Sequence, residues 1–485
     1  MQGRREVLIS RRRFLKSAAF LAGIGVAGSL VAACGGQQAP AAAPTSAPAA
    51  AATAAGAAPA PTEAPKVAVS GEKKLAVWQT KLFTQAANDD SKAVITKYAQ
   101  EKGWSVDISD VPTDVMPKLM AGIESGELPD LVQLSSELPQ LAATGALADV
   151  TDVVADLVSQ NGKVVKLAER GGYFNGKWAG VPWFMYADAF FVRKDVTDAA
   201  GLDMTKLTTF DERREAALKV SDPAKQLWGW GITPKNGTGD GDIIARHIVN
   251  SFGGSVTDES GQKVILNSPE TVAAVAWMKE TYSDKKWAKM LPEGVLGWTG
   301  SSNNENYLGG KIVFTQNASS LYWALKNQKN PYLEKTQLLQ FPKGPKFELM
   351  GGYPYYHVTF VKSRNRDFAI EVARVQAQTP QVVARVKIAS GQSWPVFEKQ
   401  IAEKEVQDFA NSDPNLLQLL KNCSHPSGWA VGWPAQPNAG TAAVEVQYLL
   451  AKMHEAAIGG QSPEEAVKNT HQQIVQIFES LGMKQ

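Results

Sequence analysis

Residues 115–134 read VMPKLMAGIESGELPDLVQL and contain the transition that decides the fold. In the first part, apolar residues recur at helical spacing, and Gly126 is the kind of residue that commonly ends a helix. The turn GELPD, residues 126–130, leads into LVQL, a short and mostly apolar run typical of a buried strand. The stretch therefore predicts a helix over 115–125 followed by a strand over 131–134.

The residues before this stretch repeat the same alternation. LAVW, residues 75–78, is interpreted as a first strand, residues 91–102 have helical spacing, and WSVDI, residues 104–108, alternates like a second strand. The order βαβαβ favours an α/β fold with a parallel sheet and helices on both of its faces. Ligands bind to such sheets at the carboxyl ends of the strands, so the loops after the predicted strands are the first places to look for a site.

Several short motifs follow one another in order along the chain. They are residues 118–132, NGKWAGVPW at 175–183, FFVRKD at 190–195, LNSPE at 266–270, GGKIVF at 309–314, FPKGP at 341–345 with Gly351 and Gly352, and SPEEA at 462–466. In these motifs the chain resembles the family 1 extracellular solute-binding proteins, which are the sugar-binding lipoproteins of bacterial ABC importers. The resemblance covers about residues 73–480, and its strength lies in the shared order of the motifs. Arg193 departs from the pattern, because asparagine is usual at that position of the family.

The resemblance implies a two-lobe periplasmic-binding-protein fold, similar to type II, with a hinge between two α/β lobes. One lobe would take residues 71–187 plus 309–357, and the other would take residues 188–308 plus 358–485. The crossings between the lobes would lie at 186–188 and at 355–358.

The N-terminal segment has the features of an export signal. SRRRFLK, residues 10–16, resembles a twin-arginine motif, and the uncharged run 18–33 is short and only moderately apolar. VAAC, residues 31–34, resembles a lipobox, which makes Cys34 the expected site of lipid attachment. Residues 1–33 are thus a predicted twin-arginine and lipoprotein signal peptide, with an uncleaved anchor or a chance basic amphipathic tail as the alternatives. Residues 34–70, rich in Ala and Pro, are predicted to form a disordered tether to the membrane.

Composition excludes some classes of partner. The whole chain carries a net charge of +2, and residues 1–33 hold six basic residues against one acidic residue, so the remainder carries about −3. A mildly acidic mature protein is a poor candidate for a nucleic-acid binder. With Cys34 lipidated, Cys423 is the only remaining cysteine, so no internal disulfide is expected. The 13 Trp residues suit both a core and a site that grips a ligand by flat rings.

No motif for catalysis, cofactor binding or metal binding is present. The sequence lacks the Gly-x-Ser-x-Gly elbow, the P-loop and the dinucleotide-binding glycine pattern, and its five His residues show no metal-ligand spacing. We therefore expect no cofactor, no metal and no enzymatic activity. Carboxylates are numerous enough for a glycosidase pair, but the sequence does not select one. The charged stretch 211–214 is interpreted as a solvent-exposed helix start.

Aromatic residues in predicted loops, with polar residues beside them, are the candidates for ligand contact. A sugar needs flat rings for its C–H faces and polar partners for its hydroxyl groups. The candidates follow the predicted strands, flank the crossings or lie in Gly- and Pro-rich loops. They are Trp78, Gln79, Ser135, Ser136, Glu137, Trp183, Tyr186, Asp242, Arg246, Trp298, Asn317, Trp323, Tyr353, Tyr355, Trp394, Trp429 and Trp433.

The resemblance implies an extracytoplasmic, lipid-anchored and monomeric substrate-binding subunit that delivers a sugar or oligosaccharide to an ABC permease. The location would be the periplasm or the outer face of the cell membrane. One alternative keeps the fold and changes the ligand to a peptide, a polyamine or an organic acid. An anion would be favoured if Arg193 and Arg246 both faced the cleft. The other alternative is a surface polysaccharide hydrolase.

Overall fold

The computed structural model describes residues 73–82, 84–112 and 115–485. The predicted signal peptide, Cys34 and the predicted linker lie outside these residues, so these expectations stay predictions. Within the described ranges, no helix has both the length and the apolar character needed to cross a membrane.

Ten strands are present in the described part of the chain. They are β1 (Lys74–Thr80), β2 (Ser105–Val111), β3 (Leu131–Leu134), β4 (Tyr173–Phe174), β5 (Lys177–Trp178), β6 (Val181–Arg193), β7 (Trp228–Trp230), β8 (Ile312–Ala318), β9 (Thr336–Leu339) and β10 (Gly352–Thr359).

The same residues form nineteen α-helices. They are α1 (Gln85–Glu101), α2 (Met116–Ser125), α3 (Leu138–Ala143), α4 (Thr151–Asn161), α5 (Lys166–Gly172), α6 (Lys194–Ala199), α7 (Phe210–Val220), α8 (Asp240–Phe252), α9 (Pro269–Ser283), α10 (Ser302–Leu308), α11 (Ser319–Asn327), α12 (Arg366–Gln376), α13 (Thr379–Ile388), α14 (Glu398–Ala402), α15 (Lys404–Asn411), α16 (Pro414–Cys423), α17 (Ala439–Val446), α18 (Leu449–Ile458) and α19 (Pro463–Ser480).

The predicted βαβαβ opening is confirmed. β1 pairs in parallel with both β2 and β3, and α1 and α2 connect them. α2 ends at Gly126, whose φ of 83° is a left-handed conformation that glycine adopts without strain.

The sheet is divided along β6. Its strand order is β2-β1-β3-β10-β6-β8-β7, and β9 also pairs with β6. Residues 181–187 of β6 pair with β10, whereas residues 188–193 pair with β8 and β9. All thirteen residues of β6 are buried. One continuous strand therefore runs from a first half of the sheet (β1, β2, β3, β10 and the start of β6) into a second half (the end of β6, β7, β8 and β9).

Different helices pack beside the two halves, although α17 also contacts α3 across them. α12 and α13 pack against α1 beside the first half, and Asn365 donates to the Lys74 carbonyl oxygen at 2.9 Å. In the second half, α16 packs against β6 and β9, and α7 packs against β7 and β8. α8, α9, α18 and α19 pack on one another.

The expected lobe boundaries differ from this arrangement in three places. Residues 312–339 were expected with the first lobe, but β8 and β9 pair with the end of β6 in the second half. Residues 366–388 were expected with the second lobe, but α12 and α13 pack on the first half. β10 lies wholly in the first half, so the chain returns there before Gly352 and not at 355–358.

Candidate functional site

Three predicted tyrosines meet where β6 and β10 run side by side. Tyr353 lies directly opposite Tyr186, and Tyr355 lies opposite Phe184. The Tyr355 ring stacks on Phe184 with centroids 4.6 Å apart, and its centroid is 5.1 Å from that of Tyr186. The antiparallel register thus gathers aromatic side chains just before the Ala187–Asp188 junction between the two halves of the sheet.

Polar groups from the loop after β3 join this cluster. The Ser135 hydroxyl donates to the Pro354 carbonyl oxygen at 2.9 Å, and the Ser135 amide donates to Glu137 Oε2 at 3.0 Å. Burial raises the pKa of Tyr355, and the neighbouring Tyr186 and Glu137 raise it further. The predicted loop residues Ser135 and Glu137 therefore lie beside the predicted aromatic residues, while Ser136 is exposed.

Asp188 of β6 and Trp429, in the segment after α16, lie on the other side of the junction. Asp188 is 3% exposed. Gly351 packs so closely that a Cβ atom there would lie 2.7 Å from Asp188 Oδ2 and 2.9 Å from Cζ3 of Trp429. The Trp429 indole donates to Asn250 Oδ1 at 2.8 Å, which fixes the orientation of its ring.

α8 carries two predicted residues, and one of them, Arg246, contacts Trp429. The Arg246 guanidinium lies 4.9 Å from the Trp429 ring centroid and forms an ion pair with Glu445. Asp242 accepts the backbone N–H groups of Gly237 and Gly239, both at 3.2 Å, and so caps the start of α8. Arg246 is thus compensated by a carboxylate of the protein.

Carboxyl groups around the junction have raised pKa values. Burial, and then repulsion from Asp240, raises the pKa of Asp188 to about 7. Burial raises the pKa of Asp240 to about 7, although Asn303 donates to its Oδ2 atom at 2.7 Å. Burial also raises the pKa of Asp242 to about 6. Among the described residues, no three His, Cys, Asp or Glu side chains are grouped so that they could hold a metal ion.

Several buried polar atoms near β6 have no hydrogen-bond partner among the described residues. Three belong to predicted contact residues, namely Nε1 of Trp183, the hydroxyl of Tyr186 and Nε1 of Trp394. Trp394 is fully buried and exchanges two backbone hydrogen bonds of 2.9 Å with Met185 of β6. An unpaired buried polar group costs about 1–3 kcal/mol, so these atoms are candidates for bonds to a ligand.

Arg385 and the segment 392–393 add further atoms of this kind, which sequence reasoning missed. Nε of Arg385, Nε2 of Gln392 and the Ser393 hydroxyl have no partner among the described residues. Gln392 links the two halves, because its side chain bonds Thr84 ahead of α1 and its carbonyl oxygen accepts from Ser319 of α11 at 2.9 Å.

Most of the other predicted residues lie away from the junction. Trp78 is 6% exposed inside β1, opposite Ser109 and Val132, and Gln79 donates to the Asn88 carbonyl oxygen at 3.1 Å. Asn317 is the exception, because it is the penultimate residue of β8, lies opposite Ala189 of β6 and bonds Asn304. Trp298 is buried, Trp323 is half-buried on α11, and Trp433 contacts Phe347 with centroids 5.0 Å apart.

Sequence reasoning also missed Asp188 and Asp240 as site residues. The sequence could have indicated Asp188, because it lies at the predicted crossing at the end of an apolar run. It could not have indicated Asp240 or Arg385, because neither belongs to a motif and their neighbours come from distant parts of the chain.

Comparison with solved structures shows the same fold. The chain aligns with a solute-binding protein of Thermotoga lettingae bound with α-D-tagatose at a TM-score of 0.69 and 16% identity, over 84% of this chain and 100% of the other. It aligns with maltose-bound MalE3 of T. maritima at a TM-score of 0.67 and 22% identity, over 83% of this chain and 98% of the other. It aligns with Lmo0181 of Listeria monocytogenes in complex with cycloalternan at a TM-score of 0.68 and 19% identity, over 84% of this chain and 99% of the other. The protein thus has the two-lobe α/β fold of these binding proteins.

Sequence comparison gives a relative and a family. "Putative ABC transporter periplasmic-binding protein YcjN" of Escherichia coli K12 is 21% identical over 216 residues, which is 40% of this chain and 46% of that protein's length. The family model described as "Bacterial extracellular solute-binding protein" matches residues 93–417, about two thirds of the chain. The resemblance noted in the sequence motifs is thereby confirmed, and the chain belongs to the bacterial extracellular solute-binding proteins.

Proposed function

We propose that this protein is the extracytoplasmic substrate-binding subunit of an ABC importer, and that it binds a sugar or an oligosaccharide beside the Ala187–Asp188 junction. The observation that carries the proposal is the convergence there of Tyr186, Tyr353 and Trp429 with buried, unpartnered polar atoms. Sugars present C–H faces that pack on rings and hydroxyl groups that need hydrogen-bond partners. The junction supplies both.

The relatives support a sugar as the ligand. The solved structures that share this fold hold tagatose, maltose and cycloalternan, which range from a monosaccharide to an oligosaccharide. Because their identity to this chain is at most 22%, they support the class of ligand and leave the particular sugar to experiment.

The position of the site at the junction gives a mechanism for signalling that ligand is bound. Periplasmic binding proteins as a class close about a hinge around their ligand. A ligand that touches Tyr186 on one side of the junction and Asp188 or Trp429 on the other is held best when the two halves approach each other. Binding would therefore shift the population toward the closed form, which docks on the permease.

Arg193 and Arg246, which the sequence suggested as possible contacts for an anion, do not favour an anionic solute, because each pairs with a carboxylate of the protein. Arg193 donates to both carboxylate oxygens of Asp195, at 2.9 and 2.8 Å, and Arg246 pairs with Glu445. Membership of a family of binding proteins supports binding without chemical change. A hydrolase would need a carboxyl pair such as Asp188 and Asp240 across a glycosidic bond, and turnover of a chromogenic glycoside would reveal it.

We also propose that the mature protein is a monomer held at the periplasmic or outer face of the cell membrane by a lipid on Cys34, after export by the twin-arginine route. The basis is the sequence 10–34 together with the extracellular character of the family. Labelled palmitate should enter the wild-type protein and not Cys34→Ala, and that variant should leave the membrane fraction. Equal labelling of both proteins would disprove the anchor.

The test of the main proposal is a titration of residues 71–485 with mono- and oligosaccharides, followed by Trp fluorescence and melting temperature. A ligand that binds only the native state raises its apparent stability, by about 2.7 kcal/mol at one hundred times the Kd. We expect at least one sugar to raise the melting temperature. An unchanged melting temperature and fluorescence across a broad panel would reject a sugar ligand.

A further inference from the structure

Buried arginines at the start of α7, in the second half of the sheet, each donate at least two hydrogen bonds to the protein. Arg214 donates to Asp211 at 3.1 Å. Arg213 is 3% exposed, and its Nε and Nη1 donate to the carbonyl oxygens of Leu207 at 2.9 Å and Gln340 at 2.7 Å. This is the expected pattern, because a buried charge without partners is strongly destabilising.

Arg385 on α13 departs from this pattern. It is 2% exposed, and its one hydrogen bond to the described residues runs from Nη1 to the Ala87 carbonyl oxygen at 2.9 Å. No carboxylate of those residues lies within 4.0 Å of its guanidinium, and its Nε has no partner there. Burial lowers the pKa of Arg385 to about 10, so the group remains charged at neutral pH.

The surroundings of Arg385 are mainly rings and neutral donors. The Asp90 carboxylate is near enough to raise the pKa of Arg385, but it lies more than 4.0 Å from the guanidinium and forms no ion pair with it. Its guanidinium lies 4.5 Å from the Trp183 ring centroid and 4.1 Å from that of Phe184. The Trp183 indole N–H and the Tyr186 hydroxyl also lack partners among the described residues. The Tyr186 and Tyr355 hydroxyls are close enough to Arg385 to influence its pKa. A positive charge and several free donors therefore lie beside the proposed site.

Internal water molecules can bond to the Trp183 N–H and the Tyr186 hydroxyl, but they do not neutralise the charge of Arg385. Because ordered waters commonly bond to buried polar groups, the Tyr186 hydroxyl alone would be weak evidence for a ligand group. The guanidinium is different, because it is a planar fork of donors that fits a carboxylate and forms charge-assisted bonds roughly twice as strong as neutral ones.

We propose that the ligand bears an acidic group and that Arg385, with Tyr186 beside it, recognises that group. The substrate class is then a saccharide that carries a carboxylate, such as one built from uronic acids. This inference rests on the proposed function and narrows it from sugars in general to acidic sugars. Arg385 is the specificity-determining residue, and the rings of Tyr355 and Trp429 contact the neutral part of the ligand.

The experiment compares carboxylated and neutral saccharides by calorimetry. The probes are di- to tetrasaccharides of galacturonate and glucuronate, their methyl esters, and malto- and cello-oligosaccharides of equal length. We expect the wild-type protein to bind an acid at least about tenfold more tightly than its ester. Arg385→Gln should weaken binding of the acid by about 30-fold or more and change binding of the ester far less.

Arg213→Gln is the matched control, because Arg213 is also buried and stacks on a phenylalanine, with its guanidinium 4.3 Å from the Phe190 centroid. It should keep the wild-type ratio of acid to ester affinity. Circular dichroism checks that each variant is folded. If Arg385→Gln does not fold, the test uses Tyr186→Phe in its place. The ratio of affinity for the acid to affinity for its ester should then be smaller in Tyr186→Phe than in the wild-type protein.

The possible failures are distinguishable. Equal affinity for acids and esters, or binding of neutral sugars alone, overturns the role of Arg385 and leaves the proposed function intact. Absence of binding to every saccharide in the panel overturns both. A loss that is equal for acids and neutral sugars in Arg385→Gln shows that the residue only supports the packing of α13.

Discussion

Ala187 and Asp188 are consecutive residues of β6 that belong to different halves of the sheet. Ala187 pairs with Gly352 of β10, and Asp188 pairs with Ala318 of β8. The peptide unit between them thus joins the two halves directly. It also places the Asp188 carboxyl group in a buried position at the proposed site.

The first prediction concerns Asp188→Asn and pH. In the unfolded chain the carboxyl ionises near pH 3.8, while burial holds its native pKa at about 7. Between these values the native state binds the extra proton, so this group lowers the free energy of unfolding as pH rises from about 4 to about 7. The asparagine variant avoids this loss. Its stability relative to wild type should increase by on the order of 2 kcal/mol between pH 5 and pH 8.

Denaturant unfolding at the two pH values measures this difference. Asp222→Asn is a suitable control, because Asp222 forms a surface ion pair of 2.7 Å with Lys225, and hydrogen bonds from Lys225 lower its pKa. It should show no gain at pH 8. A pH-independent difference for Asp188→Asn would mean that Asp188 is not buried as a raised-pKa acid.

The second prediction concerns the Tyr186 hydroxyl, which has no hydrogen-bond partner among the described residues. Tyr186→Phe should leave the unliganded melting temperature unchanged or raise it slightly, because no bond to the protein is lost. The rise in melting temperature caused by a ligand should shrink, since the hydroxyl is free for that ligand.

Tyr282→Phe provides the contrast. The Tyr282 hydroxyl accepts from Trp230 Nε1 at 3.1 Å and donates to the Ile232 carbonyl oxygen at 2.7 Å. Its loss should cost about 1–3 kcal/mol without changing ligand binding. Similar destabilisation by both variants would contradict the assignment of Tyr186.

The third prediction concerns His247, which is fully buried between Phe210, Phe341 and Trp429, at centroid distances of 5.3, 5.0 and 5.1 Å. Burial lowers its pKa to about 3, so the native imidazole stays neutral while the unfolded one takes a proton below about pH 6.5. This group therefore removes about 1.4 kcal/mol of stability per pH unit as pH falls from 6.5 toward 3.

His247→Phe should flatten that part of the stability curve, measured by denaturant unfolding between pH 7.5 and pH 5. The partly exposed His471 is the control, and His471→Asn should change the slope less. An unchanged slope in His247→Phe would show that His247 protonates in the native state.

The fourth prediction concerns Gly351→Ala. The added methyl group would lie 2.7 Å from Asp188 Oδ2 and 2.9 Å from the Trp429 ring, so either the strand or the ring must move. We expect a loss of about 1–3 kcal/mol and weaker ligand binding. Gly297→Ala meets nothing within 4 Å and should be close to neutral in both measurements. A neutral Gly351→Ala would contradict the close approach at the junction.

The sequence predicts the first three strands well because their signals are local. β1, β2 and β3 are short apolar or alternating runs bounded by turns, and each was expected within about three residues of where it lies. Trp228 and Trp230, which alternate around Gly229, lie in β7. Such elements depend on periodicity that is visible within ten residues.

Long-range pairing was not predictable in the same way. β8 and β9 join the second half because their backbones meet residues 188–193 of β6, which are more than one hundred positions away. Nothing in the local pattern of residues 312–339 selects that partner, so assigning this segment to the first lobe did not anticipate its pairing.

The sequence also did not indicate which charged residues are buried. The stretch 211–214 was expected to be exposed, but Arg213 and Arg214 are 3% and 6% exposed. The Arg214 guanidinium lies over the rings of Trp277 and Trp287, with centroids at 4.6 and 4.1 Å. Aromatic stacking lets an arginine be buried without looking apolar in the sequence. Arg385 is buried in the same way, over the rings of Trp183 and Phe184, so the sequence did not indicate it as a site residue.

The continuity of β6 has a consequence for how the protein can be cut and rebuilt. Since residues 181–187 complete one half of the sheet and residues 188–193 complete the other, a fragment that lacks either part would leave an open edge prone to aggregation. The two halves should therefore melt in one cooperative step and resist separate expression. A fluorescent reporter domain should be tolerated at the exposed turn 259–260, far from this shared strand in the chain, and not within it.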